Sequence, residues 1–194
     1  MSEDLRVIKT RSNIRREFLS LLQQYEFRAI TVSMIIERCQ INRSTFYRNY
    51  EDKYALTDAI VQDLLEEFSR NMETAFIRES KAEPGSFNSM LEYFSQHRKE
   101  LTLLYQRVLP VNIFDQMLTR YSEALLKEIS RIFPNSVRQQ KLSRYFSRII
   151  ASNILTSIRW WHLESPETSR QEMEEIIRLT AEEGILPSLR NRFK

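Results

Sequence analysis

An all-α fold is predicted by three features of the sequence. Apolar side chains recur at i, i+3, i+4 and i+7 in one segment after another, Gly85 and Gly184 are the only glycines in 194 residues, and β-branched alternation is nowhere sustained. A chain of this length can bury a real core, and it divides in two if its first part is a short three-helix unit. The expected division is residues 1–53, a connecting helix over about 52–79, and a helical second domain over 80–194.

Taken in order, Met1 to Lys9 reads as a loose arm, with Arg6, Lys9 and Arg11 within reach of a phosphate or a minor groove. A first helix runs to about Tyr25 and buries Ile14, Phe18, Leu21, Leu22 and Tyr25. Then comes Thr31 to Lys53, two short helices around a tight turn. Val32, Ile35, Ile36 and Cys39 form one apolar face; Thr31 is the N-cap, and Ile30 and Ile35 are placed as a hydrophobic staple. After the turn the pattern repeats: Asn42 is the cap, Ile41 and Phe46 the staple, and Phe46 and Tyr50 the inner edge. Arg43, Ser44, Thr45, Tyr47 and Arg48 are left facing outward, with guanidinium, hydroxyl and phenol donors suited to base edges and phosphates. Asp52 caps the next helix, whose first turn offers Lys53 and backbone N–H groups to a phosphate oxygen.

The run TVSMIIERCQINRSTFYRNYEDKYAL resembles the DNA-binding domain of the TetR/AcrR family of bacterial transcriptional regulators. That pattern is a Thr-capped helix, a small turn, a Thr-(Leu/Phe)-Tyr recognition helix, then an aromatic residue and a Lys before a Leu; Thr45, Phe46, Tyr47, Tyr50, Lys53 and Leu56 fall in step with it. Three positions depart. Cys39 and Gln40 stand where the family has a small residue and Gly, and a left-handed Gln40 costs on the order of 1 kcal/mol relative to Gly. Glu26 replaces a second frequent Gly, and Asn49 stands where many members carry His. The resemblance implies a helix-turn-helix domain that binds a double-stranded DNA operator. Arg43, Ser44, Thr45 and Arg48 would lie nearest the bases, and Thr31, Ser33, Tyr47, Asn49 and Lys53 would hold phosphates.

The segment from Asp52 to about Glu79 reads as one helix carrying Leu56, Ile60, Leu64, Phe68 and Met72. KAEPGS, Lys81 to Ser86, is a linker, because Pro84 and Gly85 do not suit a helix and Ser86 can cap the next one. Segments follow near Phe87–His97, Lys99–Leu109 and Val111–Phe133, rich in aromatic residues and Met. The resemblance implies that this region encloses a small apolar effector, with Tyr93, Phe94, Tyr105, Phe114, Met117 and Tyr121 as candidates; packed core is the competing reading of such a stripe. After Pro134-Asn135-Ser136 a long helix runs from about Gln139 to His162. The last helix starts either with Ser165 as cap and Pro166 at N1 or with a Ser169/Glu172 capping box, and ends at Gly184. In the resembled family two such terminal helices pair with their twins across a two-fold, which implies an interface of Ala151, Ile154, Ile158, Trp161, Met173, Ile176 and Ile177.

Charge is unevenly placed. Residues 1–53 hold 10 Lys/Arg against 7 Asp/Glu and the remainder 19 against 19, so the net +3 lies in the proposed DNA reader. Cys39, the lone cysteine, excludes an intrachain disulfide and suits a reducing compartment. His97 and His162 stand apart from other metal-ligand types, so no metal is expected and both read as ordinary surface histidines. A charged N-terminus and the lack of a ~20-residue apolar run predict a cytoplasmic protein with no membrane contact. Phosphate-binding Gly loops, a nucleophile with a His partner and a catalytic carboxylate pair are all missing, so neither enzyme nor cofactor is expected. The function expected is that of a dimeric transcriptional regulator, a repressor on a palindromic operator that a small molecule releases. The alternative is an adaptor or co-activator acting by protein–protein contact.

Overall fold

A computed structural model of the protein describes residues 5–79, 88–132, 137–182 and 184. Every element among them is a helix: α1 (Leu5–Gln24), α2 (Val32–Cys39), α3 (Arg43–Asn49), α4 (Lys53–Glu79), α5 (Asn88–Gln96), α6 (Arg98–Gln106), α7 (Ile113–Ile132), α8 (Val137–Leu163) and α9 (Arg170–Glu182). The KAEPGS linker, Phe87, Phe133 and Pro134-Asn135-Ser136 lie outside the described residues. Packing divides the chain into one unit of Met1–Leu64 with Lys99–Ile113 and another of Leu65–Arg98 with Phe114–Lys194. A boundary drawn at the linker assigns residues 99–113 to the second domain, whereas packing groups them with the first.

Two arginines account for that grouping. Arg15 of α1 donates to Glu100 of α6 through Nε at 3.2 Å and Nη2 at 2.8 Å, and through Nη1 to Asp63 of α4 at 3.2 Å. Arg107, just past α6, donates Nε to the Leu22 carbonyl at 2.7 Å, Nη2 to the Gln23 carbonyl at 3.0 Å, and Nη1 to Glu26 at 2.7 Å. Carbonyls in the last turn of a helix have no partner within it, and the positive charge complements the dipole there.

In the first unit α1 packs on α2 and α3. It buries Ile14, Phe18, Leu21 and Leu22 as its periodicity requires. The expected loose arm is helical from Leu5 on, so Arg6, Lys9 and Arg11 are exposed residues of α1. Tyr25 is exposed rather than buried, because α1 stops at Gln24 and the chain turns; Phe27 goes inward instead, edge-on to Phe18 at 6.5 Å.

The second unit is built on an aromatic core. Phe68 lies 5.7, 5.8 and 6.0 Å, ring centre to ring centre, from Tyr93, Phe94 and Tyr121. α9 packs on α5 and α8 and starts with Ser169, whose Oγ accepts from the Glu172 amide at 3.2 Å. The capping box is therefore the start that forms. Past α9, Gly184 takes a φ of +84°, as expected of a residue ending a helix. Neither histidine is an isolated surface residue: His97 Nε2 is 2.9 Å from Glu67, and His162 is buried.

α8 carries apolar side chains on two opposite faces. Ala151, Ile154, Ile158 and Trp161 are buried within the protomer, as are Met173 and Ile177 of α9, while Ile176 is half-buried. Leu142, Tyr145, Phe146, Ile149, Ile150 and Trp160 lie on the other side and are exposed. The residues expected at a dimer interface thus form the inner packing of the unit, a correction that moves any α8 interface to the opposite stripe.

Candidate nucleic-acid interface

The α2–α3 pair forms because each helix is capped and each buries one anchor. Thr31, in extended backbone, accepts the Met34 amide on its side chain at 3.2 Å. Ile30 and Ile35 are fully buried on either side of that cap. Asn42 occupies the cap position of α3 in extended backbone, and its carbonyl accepts from Thr45 and Phe46 at 2.9 and 3.3 Å. Its side chain makes no capping hydrogen bond, contrary to the sequence expectation. Phe46 is fully buried and meets Tyr47 edge-on at 5.6 Å.

The turn between them is made by Gln40 at φ 54°, ψ 43°, the left-handed conformation that favours Gly. Its amide bonds back to the Glu37 carbonyl at 3.2 Å, and the Ile41 amide to that of Ile36 at 3.3 Å. Asn13 of α1 donates to the Cys39 carbonyl at 3.0 Å and closes the helix end. A glutamine therefore fills the place of the family glycine with the turn intact. Gln40→Gly is expected to raise the unfolding free energy by about 1 kcal/mol, read as a higher urea midpoint at unchanged m. Next to the turn, burial, reinforced by the Glu17 carboxylate, pushes the Cys39 thiol up to about 11, so it stays protonated at neutral pH and is a buried apolar group rather than a nucleophile.

α3 presents Arg43, Ser44, Tyr47 and Arg48 to solvent; Thr45 is half-buried. Arg43 is prearranged on its neighbour one turn on: its guanidinium carbon is 5.6 Å from the centre of the Tyr47 ring, and Nη2 donates to the phenol at 3.4 Å. Ser33 is exposed on α2, and Thr31 is exposed beside it while holding its cap. These side chains make one polar surface with a cation at each end of α3.

Two of the residues expected at phosphates are otherwise engaged. Asn49, half-buried, donates Nδ2 to the Thr45 carbonyl at 2.8 Å and accepts from Arg11 Nε at 3.4 Å. Lys53 donates to the carbonyls of Phe27, Arg28 and Ile30 at 2.9, 3.2 and 2.7 Å. The amides at the start of α4 are not open to an anion either, because Asp52 Oδ1 accepts from Tyr54 and Ala55, both at 2.8 Å. Lys-to-carbonyl pairing across more than twenty residues leaves no mark in local spacing, so sequence reasoning missed it.

The residues expected around an effector are only partly together. Tyr105 belongs to the first unit; Tyr93, Phe94, Phe114, Met117 and Tyr121 belong to the second. Tyr93, Phe94 and Met117 are buried in packing, and Phe114 is half-buried beneath the Arg159 guanidinium at 5.4 Å. Tyr121 does border a cleft of about 290 Å³, shared with Phe68, Met72, Arg120, Ala124 and Lys127.

Residues 19–60 match the family model described as bacterial regulatory proteins, tetR family. The chain is 35% identical over 60 residues to the uncharacterized HTH-type transcriptional regulator YxbF of Bacillus subtilis, a match spanning 30% of this chain and only 16% of that relative. In fold it is similar to a TetR transcriptional regulator of Streptococcus agalactiae, with TM-score 0.60, 17% identity, and 91% of this chain and 96% of that one covered. It is also similar to Thermus thermophilus FadR, a TetR-family transcriptional repressor solved in complex with lauroyl-CoA, with TM-score 0.53, 18% identity, and 91% and 95% covered.

Proposed function

Since the chain carries the DNA-binding domain of the tetR family of bacterial regulatory proteins, we propose that it is a dimeric, sequence-specific transcriptional regulator, a repressor on an inverted-repeat operator that a small effector releases. The observation that carries this reading is the polar surface of α3: Arg43, Ser44, Tyr47 and Arg48 exposed on a seven-residue helix that only Phe46 anchors in the core. We assign Arg43, Ser44, Thr45 and Arg48 to base edges and Thr31, Ser33 and Tyr47 to phosphates; Asn49 serves there only if it leaves Thr45 and Arg11. No helix among the described residues is long and apolar enough to cross a membrane, and the proposed place of action is with DNA in the cytoplasm.

Selection from a randomised duplex library, followed by sequencing, tests this directly. Enrichment of one inverted repeat is expected, and Arg43→Ala should relax the preference at one position of each half-site by about 1–3 kcal/mol. A folded protein that enriches nothing refutes operator binding; an unchanged preference takes Arg43 out of base reading. The adaptor alternative drew on the substituted turn, and Gln40 closes that turn as Gly would, so no particular feature favours it.

A second copy is the partner proposed for the exposed stripe of α8. Leu142, Tyr145, Phe146, Ile149, Ile150 and Trp160 repeat at near-heptad spacing, the pattern of a helix seam, and a two-fold pairs such a stripe with itself. Tyr145→Glu combined with Phe146→Glu should weaken self-association by at least about 100-fold, as seen by sedimentation, because two central aromatics are lost and four carboxylates face each other. A dimer that survives this change uses another surface.

For the effector, the α4–α7 cleft offers an apolar floor of Phe68, Met72, Tyr121 and Ala124 with Arg120 and Lys127 at its edge. An apolar chain with an anionic head suits that lining, and the lauroyl-CoA bound by the Thermus relative is of this kind. α4 has residues in both units and is the proposed route by which filling the cleft alters the spacing of two reading heads. Release requires the ligand to bind one spacing better than the other, so operator affinity unchanged under saturating acyl-CoA rules that class out.

A further inference from the structure

The ammonium of Lys53 sits where three carbonyls of the α1–α2 loop converge. Phe27, Arg28 and Ile30 accept from Nζ at 2.9, 3.2 and 2.7 Å. An ammonium has three donors and no acceptor, so all of its hydrogen-bonding capacity is used. Aromatic faces complete the cage: Nζ is 4.6 Å from the centre of the Phe27 ring and 5.7 Å from that of Tyr54, and these rings meet edge-on at 5.2 Å. The loop has little else to hold its backbone. Its own bonds are Ala29 N–H to the Glu26 carbonyl at 2.9 Å and Ile30 N–H to the Phe27 carbonyl at 3.3 Å. Three carbonyl dipoles aimed at one point repel one another unless a cation fills it.

Immediately after this loop, Thr31 caps α2, so the place where Lys53 holds Ile30 is the place where the reading head's first helix begins. A phosphate could recruit the ammonium only by breaking these bonds. It would also meet the Asp52 carboxylate, which already holds the Tyr54 and Ala55 amides.

We propose that Lys53 is a positioning residue of the DNA-reading unit: tied to the Phe27, Arg28 and Ile30 carbonyls, it fixes the entry of α2 and makes no contact with a DNA phosphate. The DNA arm of its test rests on the operator binding proposed above; the exchange arm does not.

The test uses the full chain as Lys53→Arg and Lys53→Met. Arginine keeps the charge and is at least as good a phosphate ligand, but its planar fork cannot aim three donors at one converging set of carbonyls. Methionine keeps an apolar stem against Phe27 without charge or donors. Amide hydrogen exchange at Ala29, Ile30 and Met34 is expected to speed up about tenfold or more in both variants. Binding to mixed-sequence duplex DNA is expected to weaken in both, with the slope of log affinity against log salt unchanged in Lys53→Arg. Wild-type exchange and wild-type affinity in Lys53→Arg overturn the proposal. So does a slope shallower by about 0.9 in Lys53→Met alone, the signature of one lost phosphate contact, whatever the exchange shows. If the wild-type chain binds no duplex, operator binding fails, and the exchange result by itself decides the role of Lys53.

Discussion

Phe46→Ala is expected to unfold the DNA-reading unit before the rest of the chain, at a cost of about 3–5 kcal/mol. A seven-residue helix is far too short to persist by itself, and Phe46 is the one residue of α3 that is fully buried. Truncating it removes the hydrophobic transfer term and leaves a cavity beside Tyr47 and Tyr50, whose rings lie 5.6 and 6.1 Å away. Both tryptophans, Trp160 and Trp161, belong to the second unit, so two probes can follow the units separately. In urea, the far-ultraviolet circular dichroism of Phe46→Ala should show an early loss of helix that tryptophan fluorescence does not report. Phe46→Leu should recover most of the loss. A Phe46→Ala protein with wild-type midpoints by both probes would mean that α3 is anchored by something other than this ring.

Acid should destabilise the second unit through His162 by on the order of 3 kcal/mol. The imidazole is buried against Phe94 and Trp161, with ring centres 6.1 and 5.5 Å away. Burial first, and then the Arg98 guanidinium, push its pKa from 6.5 down to about 4, against an opposing backbone hydrogen bond at Phe94. Arg98 is held in place by the Trp161 carbonyl at 2.9 Å and the Trp161 ring at 5.1 Å. Between pH 6.5 and about 4 the unfolded chain binds a proton at this site that the folded chain refuses. The stabilisation is therefore complete above pH 6.5, is lost progressively as pH falls, and is gone below about 4. Urea unfolding read by tryptophan fluorescence across that range should show the fall, and His162→Phe should flatten it. An equally steep fall in His162→Phe would assign the acid sensitivity to carboxylates instead.

What could be read from the residues in order was whatever depends on near neighbours in the chain. The caps Thr31 and Ser169, the buried stripe of α1 and the outward polar row of α3 all follow from partners within about two turns, and there periodicity and capping chemistry state the structure almost directly. The turn is instructive because local propensity argued against Gln40, yet tertiary packing around Cys39 and Asn13 imposes the left-handed backbone. Asn42 shows the converse: a good capping residue in the cap position whose side chain forms no cap bond.

The amino-acid sequence by itself determined the all-α class, the helix-turn-helix and the residues available to meet DNA, because helix periodicity is a property of consecutive residues. Only the tertiary structure decided which face of α8 is inner packing, that residues 99–113 pack with the first unit through Arg15 and Arg107, and that Lys53 and Asn49 hold backbone carbonyls. An apolar stripe on each side of a helix satisfies the same spacing rule whichever side faces the core. A lysine's charge, likewise, is indifferent to whether a phosphate or three converging carbonyls will neutralise it until the chain has folded to bring one of them within 3 Å.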